Sequence, residues 1–136
     1  MTYSKPLPAV TDEDRPFWEA ARRHELVLPQ CRDCGHIWFP PYSNCPDCWS
    51  FNRQFVPASG RGRVWGVVEM QYPYIPSFEN DLPYNVVLVE LDEGPRIFSN
   101  VVDMDVTHIS IGMAVEVVFD DVTDDLALPK FKALAV

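Results

Sequence analysis

The chain has 136 residues, 47% of them hydrophobic and 23% charged, the make-up of a folded protein with room for one ordinary domain or a small module beside a compact one. Eleven Lys and Arg face twenty Asp and Glu, a formal net charge of −9, and such a surface repels nucleic-acid phosphates. No apolar run reaches the roughly 20 residues of a membrane helix, and no apolar core follows the polar start at residues 1–6, so neither a membrane span nor a secretory signal is expected.

Residues 1–10 are Pro-rich and read as an extended arm. Thr11 then reads as a helix N-cap, with Asp12, Glu13 and Asp14 against the positive end of the helix dipole. Pro16 fits only near a helix start. Phe17, Ala20, Ala21 and His24 fall on one helical face, which carries a short helix to about His24. Residues 25–30 read as a strand.

All four cysteines follow, as Cys31-Arg32-Asp33-Cys34 and Cys45-Pro46-Asp47-Cys48, ten residues apart. Two C-x-x-C pairs this close have the layout of a zinc ribbon. Two intervening residues let the backbone turn back, so both sulfurs reach one ion and nearby N–H groups donate to them. Zinc suits four thiolates because it is borderline-soft and has no redox chemistry. Iron, as in rubredoxin-like centres, stays open at this point, although rubredoxins separate their pairs more widely. Disulfides need an oxidising compartment, and no leader points to one; the thiolate site and the missing signal together suggest the cytoplasm. Four protein ligands leave no open position, so the metal is expected to be structural. Loaded with Zn²⁺, the four thiolates make the chain more negative by a further two charges. His36 reads as an exposed knuckle residue. Residues 36–39 are expected as a return strand, stopped by Pro40 and Pro41.

From Phe51 the pattern turns to strands: residues 51–56, a long strand at 63–72, then 84–91, 96–102, 114–119 and 128–134. Gly66 inside the long strand suggests a bulge or sharp bend. Residues 73–82 form an aromatic and proline-rich loop. Residues 103–110 connect, with room for one helical turn. Residues 120–125 read as an acidic solvated tip; a calcium site there lacks the spacing of a known loop. The expected fold is mainly β: an N-terminal arm and helix over residues 1–25, a rubredoxin-like zinc ribbon over 26–56, and a five-stranded OB-fold barrel over 57–136.

The chain resembles the acyl-CoA-associated zinc-ribbon plus OB-fold proteins, once catalogued as a domain of unknown function. The residues that carry the resemblance run from Pro16-Phe17-Trp18 to Phe131. They include Cys31-x-x-Cys34-Gly35, Phe39-Pro40-Pro41, Cys45-Pro46-x-Cys48, Ser59-Gly60-Arg61-Gly62, Leu91-Asp92-Glu93-Gly94-Pro95-Arg96 and Ile111-Gly112-Met113. The resemblance implies a non-catalytic accessory subunit that sits against a thiolase-like protein in a hetero-oligomer. It implies thiolytic, retro-aldol or acyl-transfer chemistry, with the CoA thioester a ligand shared with the partner. Of the family's residues, only Cys31, Cys34, Cys45 and Cys48 carry over, as metal ligands.

The residues themselves nominate no nucleophile. His24, His36 and His108 fall in three segments, and the cysteines are committed to metal. An accessory protein acts through an interface, and interface cores favour Trp, Tyr, Phe and Met. The candidates are Phe17 and Trp18 on the helix, Trp38 and Phe39 by the first knuckle, and Tyr72, Tyr74 and Phe78 in the Pro-rich loop. Burial of these residues within the chain is the competing reading. A nucleic-acid-binding OB module is the alternative function, since such folds stack bases on aromatics; the acidic charge weighs against it.

Overall fold

A computed structural model describes residues 3–134; the outermost residues of the expected arm and last segment, 1–2 and 135–136, lie outside the described residues. The helix α1 spans Arg15–Arg22 with Asp14 at its N-cap position, so it begins three residues later than an N-cap at Thr11 suggests. Pro16 is the reason. Its ring would clash with the carbonyl of residue 12 if the preceding turn were helical, so the helix opens within one residue of it. Thr11 and Asp14 instead close a separate turn, the Asp14 Oδ1 accepting from the Thr11 N–H at 2.7 Å.

The helix ends in a Schellman motif: Glu25 N–H donates to the Ala20 carbonyl at 3.0 Å and His24 N–H to Ala21 at 2.9 Å. His24 holds the left-handed position, φ 60°, that glycine usually takes. It therefore leaves the helical face on which periodicity places it. Its ring stacks on Phe119, centroids 5.4 Å apart, and Nε2 meets the Asp121 carboxylate at 2.9 Å. Phe17, Ala20 and Ala21 are buried on the face that packs against the last strand and the first.

Strand β1 (Val27–Cys31) pairs antiparallel with β2 (Arg53–Pro57), Leu28 opposite Val56. The return strand expected at 36–39 shrinks to one bridge, Gln30 with Ile37. Pro29 has no N–H to give on that side, and Pro40 follows at once, so the ladder cannot extend.

The remaining strands are β3 (Arg61–Met70), β4 (Tyr84–Leu91), β5 (Arg96–Ser99), β6 (Ala114–Thr123) and β7 (Leu126–Ala133). They form one antiparallel sheet in the order β5-β4-β3-β6-β7. The sheet curls until its edges meet. Phe131 N–H donates to Asn100 at 2.9 Å, Val102 N–H donates to Phe131 at 2.8 Å, and Val101 and Phe131 form a parallel bridge. The buried Asn85 side chain supports that seam, donating to the Val101 carbonyl at 2.9 Å and accepting from its N–H at 2.7 Å. A nearly closed five-stranded barrel with this order is an OB-fold. Val64, Val87, Val89, Leu91, Val115 and Phe131 fill it, each at most 2% exposed.

The long strand β3 changes partner as it bends. It pairs with β6 through Arg61–Arg63 and with β4 out to Met70, with a register shift between Val64 and Gly66. The bulge expected from Gly66 is there. Residues 120–123 of the acidic tip expected at 120–125 lie in strand β6 of the β6–β7 hairpin, Asp120 opposite Leu128 and Asp121 opposite Ala127. Asp120 is neutralised by Lys130 at 3.0 Å across the pair, so a local run of acids did not break the strand. The connector at 103–110 holds a single 3-10 turn, Val106–His108, and the aromatic loop another, Pro76–Asp81.

Gly62 marks a close approach: a Cβ there would stand 2.4 Å from the Glu90 carbonyl oxygen, which is backbone and cannot swing away. Gly62→Ala is expected to cost about 2–4 kcal/mol in urea unfolding. Gly66→Ala, whose Cβ meets nothing within 4 Å, is the control and should cost about 1 kcal/mol or less.

Candidate metal centre and apolar surface

Two knuckles of the same design carry the cysteines. Cys31 N–H donates to His36 and Gly35 N–H returns to Cys31; Cys45 N–H donates to Ser50 and Trp49 N–H returns to Cys45, all at 2.8–2.9 Å. N–H groups also point at sulfur. Cys34 N–H approaches Cys31 Sγ at 3.5 Å, and the N–H groups of Asp47 and Cys48 approach Cys45 Sγ at 3.4 and 3.5 Å. Asp33 staples the knuckles together by accepting from the Ser50 hydroxyl and from Asn52 Nδ2. Those two donors, Ser50 first, hold its carboxyl below the usual range.

The four Sγ atoms lie within 4.8 Å of one another, with Cys31–Cys48 at 3.5 Å and Cys34–Cys45 at 3.6 Å. A tetrahedron with Zn–S bonds of about 2.3 Å has edges near 3.8 Å, so the set fits that ion. All four thiols are free, Cys31 and Cys45 buried, Cys34 and Cys48 exposed. Their ionisation is lopsided. The Cys34 N–H pulls the Cys31 thiol down to about 7. At Cys34 the His36 N–H also pulls down, but burial and the neighbouring sulfurs outweigh it and push the thiol up to about 12. Four thiolates cannot crowd together without a cation, and a divalent metal supplies it.

Gly35 and Trp49 occupy the same knuckle position, at φ 81° and 67°. For a side chain, that backbone costs about 1–2 kcal/mol. Trp49 is 72% exposed, so its ring returns little packing. Trp49→Gly is expected to stabilise the ribbon by about 1 kcal/mol, read as a higher melting temperature at full metal content.

The expected interface residues divide. Phe17 is buried in the core and Trp38 behind Cys31 and Cys45, at 3% and 4% exposure; both are spent within the chain. Trp18 and Phe39 are half-buried, each packed on the Phe17 ring at 5.0 and 5.3 Å. They border an apolar groove of about 530 Å³ at the meeting of helix, ribbon and barrel, whose far wall is Leu88, Phe98 and Pro129. Tyr72 and Tyr74 stand free in the loop, ring centroids 4.9 Å apart, and do not line the groove. Phe78 is half-buried against Tyr84, under the Lys5 ammonium. His36 is exposed, stacked on Trp38 at 6.3 Å. Trp65 and Phe98 are exposed on the barrel exterior and are not among the interface candidates that sequence reading names. The signal that places Phe98 outside is its parity against buried Ile97.

Residues 18–52 match the family described as "ChsH2, rubredoxin-like zinc ribbon domain", and residues 55–120 match "ChsH2, C-terminal OB-fold domain". The chain is similar to a "Probable enoyl-CoA hydratase alpha subunit" of Thermomonospora curvata, 39% identical over 94% of this chain. It spans only 40% of that relative's length. A "DUF35 domain-containing scaffold protein" of Methanothermobacter thermautotrophicus is 33% identical, over 85% of this chain and 87% of the relative. Among solved structures, a chain of the "Ltp2-ChsH2(DUF35) aldolase" superposes with a TM-score of 0.84 at 36% identity, covering 93% of this chain and 98% of that one.

Proposed function

The chain belongs to the ChsH2-type zinc-ribbon and OB-fold family, also called DUF35, and from that premise we propose that it is a non-catalytic accessory subunit of a thiolase-like acyl-CoA enzyme. The observation that carries this reading is the near end-to-end likeness to a chain that is part of an aldolase assembly. Retro-aldol C–C cleavage is the form of chemistry that likeness favours. The thiolase-like character of the partner comes from the sequence resemblance. The hydratase named for the longer relative is not assigned to this chain.

The residues of the chain divide the work. Cys31, Cys34, Cys45 and Cys48 hold a structural zinc whose role is to clamp the two knuckles; all four positions around it are taken by protein sulfur. The ribbon and α1 then fix Trp18 and Phe39 on one side of the groove, facing the barrel wall on the other. The partner contributes the reacting groups. This chain packs against it there, and the Tyr72, Tyr74 and Phe78 loop reaches toward the acyl-CoA entrance, where the thioester is a ligand shared between subunits. Among the described residues no helix is long and apolar enough to cross a membrane. The test is co-expression with a thiolase-like acyl-CoA enzyme of the same organism, followed by size exclusion. Co-elution in a fixed ratio supports the reading; separate elution of two folded proteins contradicts it.

The nucleic-acid alternative meets a specific obstacle. Three cations on the barrel are tied up, Arg96 with Glu90 and Lys130 with Asp120, both at 3.0 Å, and Arg61 with Glu116 at 3.4 Å. Phosphate binding needs free cations that release counterions. No binding to single-stranded oligonucleotides is expected at physiological salt. Sub-micromolar affinity that falls steeply with salt, measured by fluorescence anisotropy, would restore the alternative.

A further inference from the structure

The outer face of β3, β4 and β5 is apolar and bare. The bulge in β3 makes it so. Val64 faces Val89 inside the barrel and Val67 faces Val87 inside it, so Trp65 and Gly66 both turn outward between them. Gly66 stands opposite Leu88 and covers nothing. Phe98 stands opposite Leu88 on the other side, and Val68 opposite Val86. Trp65, Val68 and Phe98 are 51%, 56% and 74% exposed. A contiguous apolar sheet face of this kind on a small acidic protein marks a contact surface.

We propose that this face, anchored by Trp65 and Phe98, is where the chain seats its acyl-CoA-enzyme partner; the inference rests on the accessory-subunit reading and adds the place of contact. The face fixes the chemistry of its occupant. Arg96 lies over the Trp65 ring at 4.0 Å and is held by Glu90 at 3.0 Å, while Arg63 donates to the Gly112 carbonyl at 2.9 Å. Arg96 and Glu90 therefore already match each other, and an occupant bringing a lone charge against that pair would bury it unpaired; Arg63, which meets a backbone carbonyl, stands at the margin of the face. The face also runs into the groove, because Leu88, Arg96 and Phe98 belong to both. The occupant is thus a folded protein with an uncharged apolar patch and a projecting side chain that enters between Phe98 and Trp18. An enzyme subunit is the occupant that the likeness to an aldolase chain brings. Trp, Phe and Arg are residue types that dominate interface cores.

The test is titration calorimetry of the chain against the thiolase-like enzyme with which it co-elutes. Phe98→Ser and Trp65→Ser are each expected to weaken binding about tenfold or more. Ile111→Ser, a residue 71% exposed elsewhere on the barrel, should leave it unchanged. Metal content and melting temperature report whether each variant is folded. Hydroxyl-radical footprinting of the unsubstituted complex gives a second reading, with Trp65 and Phe98 protected from oxidation. Unchanged affinity in both folded variants, or unprotected rings in the complex, overturns the proposal while the accessory reading stands. Self-association of the chain that Phe98→Ser disperses also overturns it. Failure of the unsubstituted chain to bind overturns the accessory reading and this proposal with it.

Discussion

Cys45→Ser is expected to strip the metal and unfold the ribbon. Cys45 is fully buried and its sulfur receives two backbone N–H groups, so serine loses a ligand and leaves both donors without sulfur. Metal binding by such sites carries about 10–16 kcal/mol of apparent free energy, and that energy is folding energy. The whole stability of a domain is about 5–15 kcal/mol. The knuckle end of the ribbon offers little besides metal, a buried cluster of Cys31, Trp38 and Cys45, while Leu26 and Leu28 at its other end join the main core. Barrel residues make up most of the main core, which Leu26, Leu28 and Phe17 join, so the barrel should survive, giving two unfolding transitions in place of one. Elemental analysis should fall from one zinc per chain to none; stoichiometric zinc in the variant contradicts the assignment. Acid should act in the same direction. Cys31 is held down to about 7 from 9.0, so its thiolate favours the folded ribbon above its unfolded value. That contribution is lost as pH falls through about 7. Protons compete with metal over the same range, so zinc transfer to a chelator should steepen below it.

The second large effect is on the partner. Co-expression is expected to raise the soluble yield of the thiolase-like protein several-fold, in line with the linkage of binding to stability: a ligand at about 100 times its Kd adds about 2.7 kcal/mol. The physical origin is reciprocal burial. This chain exposes Trp65, Phe98, Tyr72 and Tyr74, and an apolar patch that fits them is an aggregation liability on the partner alone. A charge at Tyr74 or Phe78 should weaken the effect with zinc content unchanged, because neither residue touches the ribbon cysteines. Solubility independent of this chain contradicts the expectation.

The metal site was legible because a C-x-x-C pair encodes its own geometry, and two pairs encode a site. The barrel was legible because 84–91 is an apolar run closed by a turn, alternation along 114–119 matches the pleat, and Gly66 announced its bulge. What was lost was lost to tertiary effects. Pro16 moved the helix start by denying helix to the turn before it. His24 took a glycine's place at the helix end because Phe119 and Asp121, almost a hundred residues away, hold its ring. Asp120 and Asp121 stayed in a strand because Lys130 and His24 meet their carboxylates. Phe17 stood on the apolar helical face, and its burial was the competing reading that held; Trp38 carried no local sign that the two knuckles would cover it. Trp65 is the instructive case: a bulge resets which parity faces out, so periodicity alone cannot say that it stands on the surface.

The most direct measurement is turnover. A CoA-thioester C–C cleavage assay is run on this chain alone, on the purified thiolase-like protein alone, and on the two mixed in increasing ratio. The account predicts no turnover by the chain, weak or no turnover by the partner, and activity that rises several-fold or more and levels off at a fixed stoichiometry. Turnover by the chain unaided, or full partner activity without it, contradicts the account.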